Sequence, residues 1–115
     1  MHELGIATSI LDAVAEEARR HPGAHPVKVA VRVGELAAVD PEALSFSFQV
    51  LTNGTQWERL ALEVETCPRR HRCPVCETTF RVTDYDFACP ACGVFGTDCV
   101  GGDELELAYL EMEEP

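Results

Sequence analysis

The chain has no apolar run near the ~18 residues that a membrane-crossing helix needs. It also has no internal repeat and no low-complexity segment. Nothing at its start reads as a secretory leader: Met1-His2-Glu3 is charged and no apolar h-region follows. A cytoplasmic, reducing location is therefore expected, where paired cysteines favour a metal over disulfides. Basic charge is absent from Val100 to Pro115, which carries six acids. Residues 67–99 are balanced, with four arginines against four acids, and residues 1–66 carry −5, within a total of −11. Such a surface repels phosphate backbones, which weighs against nucleic-acid binding, the common role of a zinc ribbon. A length of 115 residues allows one core with a small appendage.

Against these absences stand six cysteines, four of them in two Cys-Pro-x-Cys pairs: Cys73-Pro74-Val75-Cys76 and Cys89-Pro90-Ala91-Cys92. Two residues between cysteines let one tight turn aim both sulfurs at a single point. Four soft thiolates at a tetrahedral centre suit Zn(II), and four ligands leave no open position for a substrate. Gly93 can take positive φ after the second pair, whereas Glu77 fills the matching place in the first and makes a less ideal turn. The stretch from Glu77 to Ala88 fits a short hairpin, with a strand over Thr78–Thr83. Cys67 and Cys99 lie outside the pairs and read as buried thiols or as substitute ligands. His71, within Arg69-Arg70-His71-Arg72, reads as part of a solvated basic turn, and His21 and His25 as surface groups. Trp57 fits either a half-buried packing role or a partner contact.

The flanking segments predict an α+β fold: two helices on a small mixed β-sheet, with an inserted zinc-ribbon, rubredoxin-like hairpin module. Ile6, Ile10, Val14 and Ala18 form one stripe of a helix over Glu3–Arg20. The valines of Val27–Val33 alternate as a strand. Asp40-Pro41-Glu42 opens a second helix, with Asp40 as N-cap and Pro41 in the first position. Its stripe is Leu44, Phe48 and Leu51, and Asn53-Gly54 ends it. Leu60, Leu62 and Val64 alternate toward the cysteines, and Leu105, Leu107 and Tyr109 alternate after Gly101-Gly102. These last two strands are expected to pair antiparallel. Residues 1–66 and 101–115 then form one domain, and residues 67–100 the zinc domain.

The amino terminus is a second candidate metal site. The α-amine of Met1, the backbone nitrogen and imidazole of His2, and the backbone nitrogen of Glu3 can lie in one plane around a metal. Four planar nitrogens suit Ni(II) or Cu(II) rather than zinc. Each nitrogen must be free of its proton, so affinity is expected to fall as pH drops through the histidine range. Glu3, Glu35 and Asp40 supply negative charge if the fold gathers them. Spacing alone favours His2 as an exposed, unused group over a ligand.

Met1-His2-Glu3-Leu4, Val33-Gly34-Glu35-Leu36, Asp40-Pro41-Glu42-Ala43-Leu44-Ser45-Phe46, the two cysteine pairs and Gly102-Asp103-Glu104-Leu105 together resemble the HypA/HybF family of hydrogenase maturation nickel chaperones. The resemblance spans essentially the whole chain. It implies transient Ni(II) at Met1 and His2 with Glu3 as neighbour, and structural Zn(II) held by Cys73, Cys76, Cys89 and Cys92. It implies a nickel metallochaperone with no catalytic turnover. Its implied partners are a nickel-handling GTPase, the large subunit of [NiFe] hydrogenase and, for some members, urease accessory proteins. No nucleic-acid or membrane partner is expected, and the chain is expected to be a monomer or weak homodimer. Two other readings of the cysteine cage compete: a zinc-ribbon binder of nucleic acid or transcription machinery, and a rubredoxin-like electron carrier with iron in place of zinc.

Overall fold

Valine alternation builds the central strand. In the computed structural model, which describes His2–Glu114, β1 runs His25–Gly34, with Val29, Ala30, Val31 and Val33 all buried. A strand covered on both faces belongs in the middle of a sheet. Its neighbours are β2 (Ala61–Cys67) and β6 (Leu105–Glu113), in the order β2-β1-β6. The expected pairing of β2 with β6 is therefore corrected: both are edge strands, half-buried in alternation, and β1 lies between them. Side-chain pairs rise together along β1 and β2 (Lys28–Glu63, Arg32–Glu65), while Lys28 and Arg32 meet Tyr109 and Glu106 in reverse order on β6. The sheet is accordingly mixed.

Two helices complete this layer. α1 (His2–Arg20) buries Ala7, Ile10 and Val14, a stripe at helical spacing. α2 (Pro41–Thr52) starts where Asp40 caps it: the carboxylate accepts the Glu42 N–H at 3.0 Å. It ends at Asn53, whose N–H reaches the Gln49 carbonyl at 2.9 Å, followed by Gly54 at φ +77. Leu44, Phe48 and Thr52 face inward, with Leu51 only half-buried beside them. The Thr52 hydroxyl donates to the Phe48 carbonyl at 3.0 Å, so its burial leaves no orphan proton. Burying a side chain such as Leu44 or Phe48 contributes about 1.5–3 kcal/mol.

β6 presents the opposite face from the one its sequence suggests. Ala108, Leu110 and Met112 are half-buried, whereas Leu105, Leu107 and Tyr109 are more exposed. Tyr109 gains on the outer face instead: its hydroxyl donates to Glu63 at 2.6 Å, and the Lys28 ammonium sits 5.8 Å from its ring centroid.

A second sheet, in the order β4-β3-β5, consists of β3 (Arg70–Arg72), β4 (Thr79–Arg81) and β5 (Asp98–Gly101). Both neighbours run antiparallel to β3. Past β4 the chain reverses at Asp84 and Tyr85, with φ +53 and +59, and the Asp86 N–H closes on the Thr83 carbonyl at 3.0 Å. By contacts the chain divides into two units. One holds the described residues through Arg32, Val39–Glu65 and those from Glu106 onward; the other holds Val33–Ala38 and Thr66–Leu105.

Val33–Ala38, placed by sequence with the helices, thus belongs with the cysteine region. The reason is backbone packing. The Gly34 N–H donates to Glu104 O at 2.7 Å, and the Leu36 N–H to Gly102 O at 2.6 Å. A Cβ on Gly34 would lie 2.1 Å from Gly102 O, and one on Gly102 2.6 Å from the Arg69 Cα. Only glycine permits both approaches. No helix among the described residues is long and apolar enough to cross a membrane.

Candidate metal centre

Each cysteine pair folds into the same small loop. In the first, the Glu77 N–H returns to the Cys73 carbonyl at 3.0 Å and the Cys73 N–H donates to Thr78 O at 2.9 Å. In the second, the Gly93 N–H returns to the Cys89 carbonyl and the Cys89 N–H donates to Val94 O, both at 2.8 Å. Both loops need a left-handed residue after the second cysteine. Gly93 takes φ +81 freely; Glu77 takes φ +63 despite its Cβ. The Glu77 carboxylate accepts from the Arg72 guanidinium at 2.7 Å, an exposed pair that adds little.

The two loops bring all four sulfurs within 4.8 Å of one another. Cys73 and Cys92 are 3.5 Å apart, as are Cys76 and Cys89. Zinc–sulfur bonds of about 2.3 Å at a tetrahedral centre put sulfurs roughly 3.8 Å apart, so the cluster lies close to the spacing zinc needs. Cys73 and Cys89 are buried, while Cys76 and Cys92 are exposed.

The thiols do not ionise alike. The Thr78 hydroxyl, 3.2 Å from Cys76 Sγ, and the Thr78 backbone lower Cys76 to about 6. At Cys92 the Val94 N–H favours the thiolate, but bonds with Cys73 and Cys89, together with burial, push it up to about 12. The Cys76 backbone also lowers Cys73, so a cation binding the set has chiefly the Cys92 proton to displace.

Cys67 and Cys99 stand outside this cluster. Cys67 is half-buried at the end of β2; Cys99 is exposed on β5, where its thiol donates to Gly101 O at 3.4 Å. The expectation of a buried thiol is thus corrected for Cys99. His71 also departs from its reading as part of a solvated turn. Alternation along β3 sends Arg70 and Arg72 outward and His71 inward, only 4 % exposed. Two aromatic residues in the hairpin stretch, Phe80 and Phe87, were the available signal for an apolar pocket there.

At the other candidate site, Met1 lies outside the described residues. His2 is the first described residue of α1, and its side chain is 63 % exposed. Its Nε2 lies 3.4 Å from a Glu3 carboxylate oxygen, and that oxygen accepts the Asp40 N–H at 3.4 Å. Glu3 and Asp40 therefore meet as expected. The Asp40 carboxylate, however, is engaged in capping α2. Glu35 belongs to the other unit, where its carboxylate accepts the Arg69 N–H at 2.9 Å. His21 and His25 are exposed, and Trp57 is half-buried near Asp12, Ala15 and Arg19 of α1.

Residues 1–112 match the family described as "Hydrogenase/urease nickel incorporation, metallochaperone, hypA". Hydrogenase maturation factor HypA of Geobacter sulfurreducens is 37% identical over 113 residues, covering 98% of this chain and 100% of that protein. The factor of the same name from Acidithiobacillus ferrooxidans is 38% identical with the same coverage. The solution structure of the Ni metallochaperone HypA from Helicobacter pylori aligns over 100% of both chains, with a TM-score of 0.66 and 22% identity. A second HypA solution structure aligns over 98% of this chain and 97% of that one, with a TM-score of 0.73 and 23% identity. At those identities the two structures speak for the fold, and the curated relatives for the family. With the acidic charge and the four-cysteine cluster, they conclude that this chain belongs to the HypA family of hydrogenase and urease nickel-incorporation metallochaperones, which are maturation factors and not enzymes.

Proposed function

We propose that the chain carries Ni(II) as cargo at its amino terminus and delivers it to the large subunit of [NiFe] hydrogenase, while Cys73, Cys76, Cys89 and Cys92 hold one structural Zn(II). The observation that carries this reading is the start of α1: an exposed imidazole on His2, with the Glu3 carboxylate 3.4 Å away and tethered to the Asp40 N–H. The first backbone N–H groups of a helix have no acceptor within the helix. The nitrogens of His2 and Glu3 are therefore available to lose protons to a metal without breaking a helical bond. With the α-amine of Met1 and the imidazole they complete four nitrogens, a set suited to nickel. Glu3 contributes negative charge beside the cation.

Holding and release are separated by exposure. A site at the end of a chain, carrying an exposed ligand, can exchange its donors one at a time against those of a docking protein. The net charge of −11 favours a basic face on that partner. A nickel-handling GTPase and the hydrogenase large subunit are the proposed partners, with urease accessory proteins as a second client system, in the cytoplasm. In the zinc domain, residues 67–100, the metal would crosslink the two cysteine loops and hold a fixed docking surface.

The test is His2→Ala. Nickel titration with metal analysis is expected to show loss of tight nickel binding, with zinc unchanged at one per chain. Unaltered nickel affinity in that variant would remove the amino terminus from the account.

A further inference from the structure

The strongest feature that the proposed function leaves unused is the buried histidine of the cysteine unit. We propose that His71 and Thr97 form a positioning relay that braces the two cysteine loops at tetrahedral spacing, and so keeps the nickel cargo out of the cysteine cage. This rests on the reading above, in which zinc occupies the cage and nickel the amino terminus.

The proton positions follow from the partners. Arg69 Nε–H can only donate, and it points at His71 Nε2 at 3.0 Å. That nitrogen is thus the acceptor, and the ring is neutral with its proton on Nδ1. Nδ1 lies 2.9 Å from Thr97 Oγ1, and the Thr97 hydroxyl donates its one proton to Phe87 O at 2.6 Å. Every donor and acceptor along the line is matched, and reversing any bond leaves a part-buried group unpaired.

The ends of the relay give it meaning. His71 is two residues before Cys73, and Phe87 is two residues before Cys89. The bonds therefore join the root of one cysteine loop to the root of the other. The His71 and Phe87 rings also stack, with centroids 5.2 Å apart and planes 9° apart, and the Arg69 guanidinium lies 4.4 Å from the Phe87 ring centroid. Phe80 closes on the histidine at 6.2 Å. Hydrogen bonds fix the separation of the roots, and stacking fixes their rotation.

Raw affinity does not separate nickel from zinc well; geometry does. Zinc has no electronic preference and takes a tetrahedral set, whereas nickel favours a planar one. Two loops free to turn about each other could flatten around nickel. Braced roots oppose that motion.

The test uses the full, zinc-loaded protein as wild type, Thr97→Val, Thr97→Ser and His71→Asn. Two readouts are followed: the half-time of zinc transfer to a chromogenic chelator, and nickel–thiolate charge-transfer absorbance after addition of nickel salt. Thr97→Val is expected to lose zinc about tenfold faster, the scale set by one hydrogen bond, and to develop the nickel–thiolate band. Thr97→Ser, which restores the hydroxyl, should return both readouts to wild type. His71→Asn keeps an N–H toward Thr97 but loses the stack, and should fall between; it gives a second route if Thr97→Val folds poorly. Wild-type half-times and no band in both Thr97→Val and His71→Asn would overturn the relay while leaving the zinc cage standing. Wild-type protein purified without zinc would overturn the cage assignment itself.

Discussion

The cysteine cage and the start of α1 are built on opposite plans. In the cage every ligand sits on a loop closed by its own backbone hydrogen bonds, and the four sulfurs converge within 4.8 Å. At the helix start one imidazole is 63 % exposed, and the adjoining carboxylate is held by a 3.4 Å contact to the Asp40 N–H. The first arrangement is preorganised and closed. On the proposed reading, the second would draw on helix-start nitrogens that have no acceptor within the helix. On that reading, one polypeptide would provide a permanent site and an exchangeable one by varying how far the backbone fixes the donors before the metal arrives. Structural zinc contributes directly to folding, whereas a cargo site has to give its metal up.

The largest effect should come from the closed site. Cys89→Ser is expected to bring zinc from one per chain toward none and to unfold β3–β5, because about 10–16 kcal/mol of zinc-binding free energy is also folding free energy in such modules. Amide exchange should show those strands losing protection while α1 and α2 keep theirs. Common loss in both regions would break the comparison. Phe48→Ala is the converse change. Phe48 is 2% exposed, and truncation should cost about 3–5 kcal/mol in a thermal melt, with zinc content unaffected.

The two cysteine loops sharpen the comparison within one region. Gly93→Ala meets no atom within 4 Å, so its cost is the left-handed backbone alone, about 1–2 kcal/mol in zinc-competition experiments. Glu77→Gly should go the other way and by less, because it relieves the same strain but gives up the Arg72 pair. The smallest effect belongs to the sheet face. The Tyr109 hydroxyl bond, then Lys28, holds the Glu63 carboxyl below its ordinary range. Its contribution is present above that ordinary range and lost as pH falls through the lowered folded value. Melts of Glu63→Gln should therefore lie slightly below wild type near neutrality and coincide with it in strong acid.

Much of the architecture could be read from local chemistry. Asp40 and Pro41 start α2 as their residue types dictate, the valines of β1 alternate into the core, and the Cys-Pro-x-Cys spacing gathers four sulfurs. What escaped was long-range. Which strand lies between the others depends on burial of both faces of β1, which the separate strand patterns do not rank. β6 carries apolar residues on both faces, so alternation alone could not choose between Tyr109 and Leu110. His71 was hidden by three neighbouring arginines whose charge suggested solvent, although a strand sends alternate residues to opposite sides. Val33–Ala38 joins the cysteine unit through glycine backbones at Gly34 and Gly102, a contact that leaves no hydrophobic trace in the sequence.

The division of labour between nitrogen and sulfur is tested most directly by blocking the α-amine of Met1, either by acetylation or with one residue placed before it, followed by nickel titration and zinc analysis of the same sample. Nickel binding should collapse with zinc still at one per chain. A blocked protein that takes up nickel with wild-type affinity would contradict the account.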